Sequence, residues 1–114
     1  MERDTYLSIA DMLISCKEVK SQAKKGHCRT WTAKATEYIA ANFPEAQVEA
    51  REVHISSGMD HTFLRVIVPE ERPYIFDGTG VEKFGPYFGY EDNAPPHLRS
   101  SHPDMINYVG KGRR

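Results

Sequence analysis

The stretch that decides the fold is "HTFLRVIVPEERPYIFD", residues 61–77. Its first part, His61 to Val68, is rich in β-branched and aromatic residues, the composition of a pleated strand. "PEERP" reads as a turn, and "YIFD" as the next strand. Joined by that turn, the two strands form an antiparallel hairpin, which sets the start of one beside the end of the other. His61 and Asp77, sixteen residues apart, then become cross-strand neighbours at one end of a sheet.

The flanking sequence extends this hairpin in both directions. Upstream, "QVEAREVHI" carries Val48, Ala50, Val53 and Ile55 in imperfect alternation, which predicts a strand with a bulge near Arg51. "SSGMD" turns the chain back into the hairpin. Further upstream, Tyr6, Ile9, Leu13 and Cys16 recur at helical spacing and predict one helix from Thr5 to about Lys20, capped by Asp4 or Thr5. After the loop "SQAKKGH", a second helix starts at or just before Cys28 and runs to near Asn42. Trp31, Ala35, Tyr38 and Ile39 form its apolar stripe, and Pro44 ends it. Downstream, residues 78–104 are dominated by glycine, proline and rings, and read as a long loop folded over the sheet or over the rim of a cleft. "HPDMINYV" predicts one short helix, and residues 110–114 a frayed tail. Helix, helix, then a three-stranded meander is an α+β layout, in a single domain over residues 1–114 with one modest core.

Composition narrows the class of partner. At 39% hydrophobic residues the chain is too apolar for disorder, and no apolar run is long enough for a membrane span. The opening residues lack the layout of a signal peptide. Two cysteines make no disulfide framework, and free thiols suit a reducing compartment. The net charge of −1 hides an asymmetry: Lys17, Lys20, Lys24, Lys25, Arg29 and Lys34 stand against Glu18 alone, which leaves the rest of the chain at −6. This basic run is a solvated helix face or a set of charges around Cys28. It has no interleaved aromatics and no nucleic-acid motif, so neither nucleic acid nor membrane is expected as a partner.

Cys28, His61 and Asp77 are the residues with chemistry to offer. A thiolate is the reactive form of cysteine; the positive end of a helix, nearby bases and a paired imidazolium all favour it. His61 takes the thiol proton and returns it to a leaving group. Asp77 holds the imidazole in its useful tautomer. Backbone amides at the start of the second helix face a developing oxyanion, and Gln22, at the entrance to the same loop, is a candidate side-chain donor. His27 is a candidate for the site rim. Trp31 and the downstream aromatic Tyr87 are further candidates for contact with a substrate. Taken singly, each of the three is a common structural residue: a packing cysteine, an edge histidine, a turn-forming aspartate. Cys16, His27, Cys28, His54 and His61 are metal-ligand types, but no C-x-x-C or H-x-x-x-H pair chelates one ion, so neither metal nor cofactor is expected. His54, His97 and His102 read as surface or packing residues.

In "GHCRTWTA", "DHTFLRV" and "YIFDGTG" the chain resembles the papain-like and transglutaminase-like superfamily of Cys-His-Asp enzymes. The Cys-to-His distance of 33 residues is similar to that of compact papain-fold toxin domains of bacterial polymorphic toxins, and of effector deamidases. The resemblance covers roughly residues 22–80. It implies a nucleophile helix packed on a small antiparallel sheet, and a cysteine hydrolase or acyltransferase: a protein-glutamine deamidase or peptidase, with transglutaminase-type cross-linking or CHAP-like peptidoglycan cleavage as alternatives. It also implies a protein substrate in the cytosol of a target cell, delivery as part of a larger toxin, and a possible immunity protein. The papain Gly-Ser before a Cys-Trp pair is missing, since Trp31 follows Cys28 by three. There is no room for a second domain to wall a peptide groove, which favours attack on a single exposed amide. A non-catalytic binding module that docks an acidic partner on the basic helix is the reading from a different class.

Overall fold

The computed structural model describes residues 4–24, 26–56 and 59–99. Three helices, α1 (Thr5–Ser15), α2 (Lys17–Lys20) and α3 (Cys28–Asn42), precede the strands β1 (Gln47–Ser56), β2 (Met59–Ile67), β3 (Tyr74–Asp77) and β4 (Tyr87–Tyr90). A 3₁₀ turn at Glu91–Asn93 and a short helix α4 (Pro96–Arg99) follow. The strands form one antiparallel sheet in sequence order, β1-β2-β3-β4. The fold is α+β.

Residues directly opposite in an antiparallel ladder share a face, so the register sorts the core into two layers. Leu64 faces Ala50 and Phe76, and Phe76 faces Phe88; these lie on the helical side, with Trp31, Ala35 and Ile39 of α3 and Tyr6, Ile9 and Leu13 of α1 in the same cluster. Val53, Phe63 and Ile75 lie on the other side, in a smaller cluster with Ala94 and Leu98. That double burial corrects the expected bulge near Arg51. Val48 and Ala50 point to the helices and Val53 to the second cluster, so the sequence breaks alternation while the pairing runs straight through Arg51. The register shift falls between His54 and Ser56 instead.

Other differences have equally local causes. The single N-terminal helix is interrupted at Cys16, which is extended (φ −71°, ψ 120°), while the Ser15 hydroxyl donates to the Asp11 carbonyl at 2.5 Å. The break rotates Val19 fully into the interior. The sheet has four strands, not three, because "YFGY" in the supposed loop pairs with β3. Phe88 therefore packs edge-on against Phe76 (5.0 Å between centroids), against the helical-side core, as a strand residue and not in a loop. The helix expected in "HPDMINYV" and the tail at 110–114 lie outside the described residues.

Two devices hold the frame around the hairpin. The Tyr6 hydroxyl donates to the Arg72 carbonyl (2.7 Å) and accepts from the Val68 N–H (2.9 Å), while its ring stacks on Tyr74 at 4.5 Å. This ties α1 to the β2–β3 turn. On the opposite face Arg65 reaches Glu91 (2.8 Å) and Glu49 (3.1 Å), fastening the segment after β4 across the sheet. Among the described residues, no helix is long and apolar enough to cross a membrane.

Candidate active site

Asp77 is the last residue of β3, and its two oxygens do different things. Oδ1 accepts the backbone N–H groups of Thr79 (3.3 Å) and Gly80 (3.2 Å), an Asx-type turn that needs Gly80 at φ +68°. Oδ2 lies 2.9 Å from Nε2 of His61. Both side chains are 1% exposed. The β2–β3 pairing ends at Leu64–Phe76; continued by one residue it sets Phe63 opposite Asp77, so His61 meets the carboxylate diagonally on the same face. Aspartate thus forms the turn and orients the imidazole at once.

With Nε2 on Asp77, Nδ1 is the ring nitrogen left for the thiol of Cys28. Cys28 begins α3; Gly26, at φ +89°, turns the chain into the helix in a conformation that disfavours a side chain. The helix N-cap, His27, makes no side-chain cap bond. Burial of Cys28 works against its anion, but hydrogen bonds from His61 and from the backbone N–H groups of Thr62 and Arg29, with the charge on His61, outweigh it and lower the thiol pKa below its ordinary value. The Thr62 amide lies beyond the last β2–β3 rung, on a stretch of β2 that β3 does not cover. Burial likewise works against the His61 cation, yet Asp77 and Cys28 raise it to about 9. The arrangement favours a thiolate beside an imidazolium.

Of the basic run, Arg29 contributes to this effect through its backbone N–H. Its guanidinium sits on Glu52 at 2.7 Å. Lys34 pairs with Glu37 at 3.3 Å, and Lys25 lies outside the described residues.

The thiol opens into a cleft of about 420 Å³ walled by Gly26, Asp60, His61, Gly80, Val81 and Glu82. The structure brings Cys28, His61 and Asp77 together there, Asp77 from behind His61. It does not bring the others. Gln22 does not line the cleft; its carbonyl accepts from the Lys24 N–H at 2.8 Å within the loop. His27 is exposed at the helix start. Trp31 is buried against Gly78, and Tyr87 donates its hydroxyl to the Tyr90 carbonyl at 2.9 Å. Both line a separate, apolar cavity.

No protein family, curated protein or solved structure matches this chain.

Sequence reasoning missed Asp60, Gly80, Val81 and Glu82. Asp60 pairs with His54, which the sequence reads as a surface or packing residue. Glu82 stands at φ +52°, a conformation no glutamate advertises in sequence. His97 stacks on Phe84 at 4.1 Å, and its ring nitrogens are buried without a partner among the described residues. Burial lowers its pKa and keeps it neutral at physiological pH. Both cysteines are free, and among the described residues no three His, Cys, Asp or Glu side chains form a metal-holding group.

Alkylation reads this electrostatics directly. Between pH 5 and 10, iodoacetamide labelling of Cys28 is expected to reach half its plateau below the ordinary thiol pKa of about 8.5. In His61→Ala the midpoint should return to that range. Equal profiles for the wild type and the variant would remove the thiolate–imidazolium pair from consideration.

Proposed function

We propose that this protein is a small cysteine-dependent amide hydrolase or acyltransferase of the papain-like and transglutaminase-like kind, with Cys28, His61 and Asp77 as its triad. One observation carries the reading: a thiol with a lowered pKa shares an open cleft with an imidazole whose far nitrogen is held by a fully buried carboxylate. The Cys28 thiolate attacks an amide carbonyl carbon, and negative charge collects on its oxygen near the first-turn amides of α3. The tetrahedral intermediate collapses as the His61 imidazolium gives its proton to the departing nitrogen, so ammonia or an amine leaves and a thioester remains. Neutral His61 then takes a proton from water as that water attacks the thioester, and the thiolate departs. An amine in place of water completes transglutamination. The chemistry calls for no cofactor.

The short loops around the cleft suit a single exposed amide on a folded protein, such as a glutamine side chain. Deamidation or peptide cleavage inside a target cell, as a delivered bacterial toxin or effector neutralised by an immunity protein, is the setting drawn from the resemblance of the Cys, His and Asp segments. Docking through the basic helix is the weaker reading, because Arg29 and Lys34 already sit against Glu52 and Glu37.

The deciding experiment is mass spectrometry of a host-cell lysate incubated with wild type or with Cys28→Ala. A Cys28-dependent gain of about one mass unit on a glutamine identifies deamidation, new termini a peptidase, and cross-links a transglutaminase. A lysate with no Cys28-dependent change returns the chain to the class of binding modules.

A further inference from the structure

A second cavity, also about 420 Å³, is walled in part by Gly78 of the same Asp77–Gly80 turn. Its walls are mostly apolar: Leu13 and Ile14 of α1, Ala23, Trp31 and Phe88, with Lys20 as the one cation. Such a volume and lining suit an apolar group held by shape. The two cavities share structure. Gly78 walls this one and Gly80 walls the thiol cleft, while Trp31, one helical turn beyond Cys28, lays its indole against Gly78. One turn of helix advances about 5 Å, and two residues of chain span at most about 7 Å. An extended peptide covers about 3.3 Å per residue. A chain with its amide at Cys28 therefore reaches the second cavity with a side chain two to four residues away. At the rim, Ile14 is 59% exposed, and Leu7, two turns earlier on the same helix face, is 49% exposed. Ile14 thus presents an exposed apolar side chain at the mouth of the cavity.

We infer that this cavity is a specificity pocket for a leucine-sized or aromatic side chain of the protein substrate, two to four residues from the amide that Cys28 attacks. The inference rests on the amide-hydrolase reading, and it supplies what that reading lacks, a means of choosing one amide among many. Lys20 at the wall disfavours a basic anchor.

Peptides in which a central glutamine carries a chloromethyl ketone in place of its carboxamide test this directly. Leucine, phenylalanine, glycine or lysine is placed in turn at each position up to four residues on either side. Leucine or phenylalanine at one position is expected to speed Cys28 labelling at least tenfold over glycine, with lysine slowest, and to shift the fluorescence of Trp31, the chain's only tryptophan. Ala23→Phe, which fills the cavity from an exposed loop, should abolish the preference, and Ile14→Asp should weaken it. Both should leave iodoacetamide labelling of Cys28 unchanged. A flat series with fast iodoacetamide labelling overturns the pocket alone, as does a preference that survives in Ala23→Phe. Slow iodoacetamide labelling overturns the hydrolase reading beneath it. A wild-type dimer that Ala23→Phe dissociates would assign the cavity to a second copy of the chain and overturn the substrate role.

Discussion

Asp77→Ala is expected to slow iodoacetamide labelling of Cys28 at least tenfold at pH 6 and to cost about 3 kcal/mol of stability. The substitution strands a buried imidazole that is 1% exposed and leaves the Thr79 and Gly80 amides without their acceptor. Removing one partner of a buried charged pair is costly because the other stays behind unpaired. Asp77→Asn keeps an oxygen for the turn and should recover much of the stability while recovering less of the labelling rate. The pH dependence has a definite sign. His61 has its pKa raised from 6.5 to about 9, so its contribution is complete below about 6.5 and is lost as pH rises through about 9. Urea unfolding of the wild type should therefore show stability falling across that window, and Asp77→Ala should flatten the slope. A variant with wild-type labelling and a wild-type slope would show that the carboxylate does not govern His61.

Gly78→Ala is expected to cost about 3 kcal/mol through steric overlap. A Cβ at this position would lie 2.0 Å from Cε2 and 2.3 Å from Cζ2 of Trp31. That ring is no flexible chain end: it is 2% exposed and packed near Phe88. The indole must move, and with it the helix that carries Cys28, so labelling should slow and Trp31 emission should shift together. Gly85→Ala is the matched control, since nothing lies within 4 Å of its added Cβ; it should stay within about 0.5 kcal/mol of wild type. Comparable losses in the two variants would mean that the Gly78–Trp31 contact carries no special strain.

Legibility in the sequence followed the range of the forces involved. The α3 boundaries and the "YIFD" strand were readable because propensity, an apolar stripe and a following proline agree locally. The meeting of His61 and Asp77 was readable because a hairpin converts sequence separation into proximity. The bulge near Arg51 was misread because alternation assumes one buried face, and β1 has two. β4 was hidden by its glycine and its proline-rich surroundings, since its pairing with β3 is a tertiary choice. Gln22 could not be judged from its spacing, because loop direction depends on contacts that spacing does not encode. Asp60 and Glu82 reach the cleft for the same kind of reason.

The ladder between β2 and β3 stops at Leu64, two residues short of Thr62. Had β3 continued in register, a backbone carbonyl would compete for the place where the Cys28 sulfur now receives the Thr62 amide. The sulfur stands in for the sheet's missing rung. Reactivity here is an interruption of regular structure, and any lineage that perfected the sheet at this end would silence the thiol.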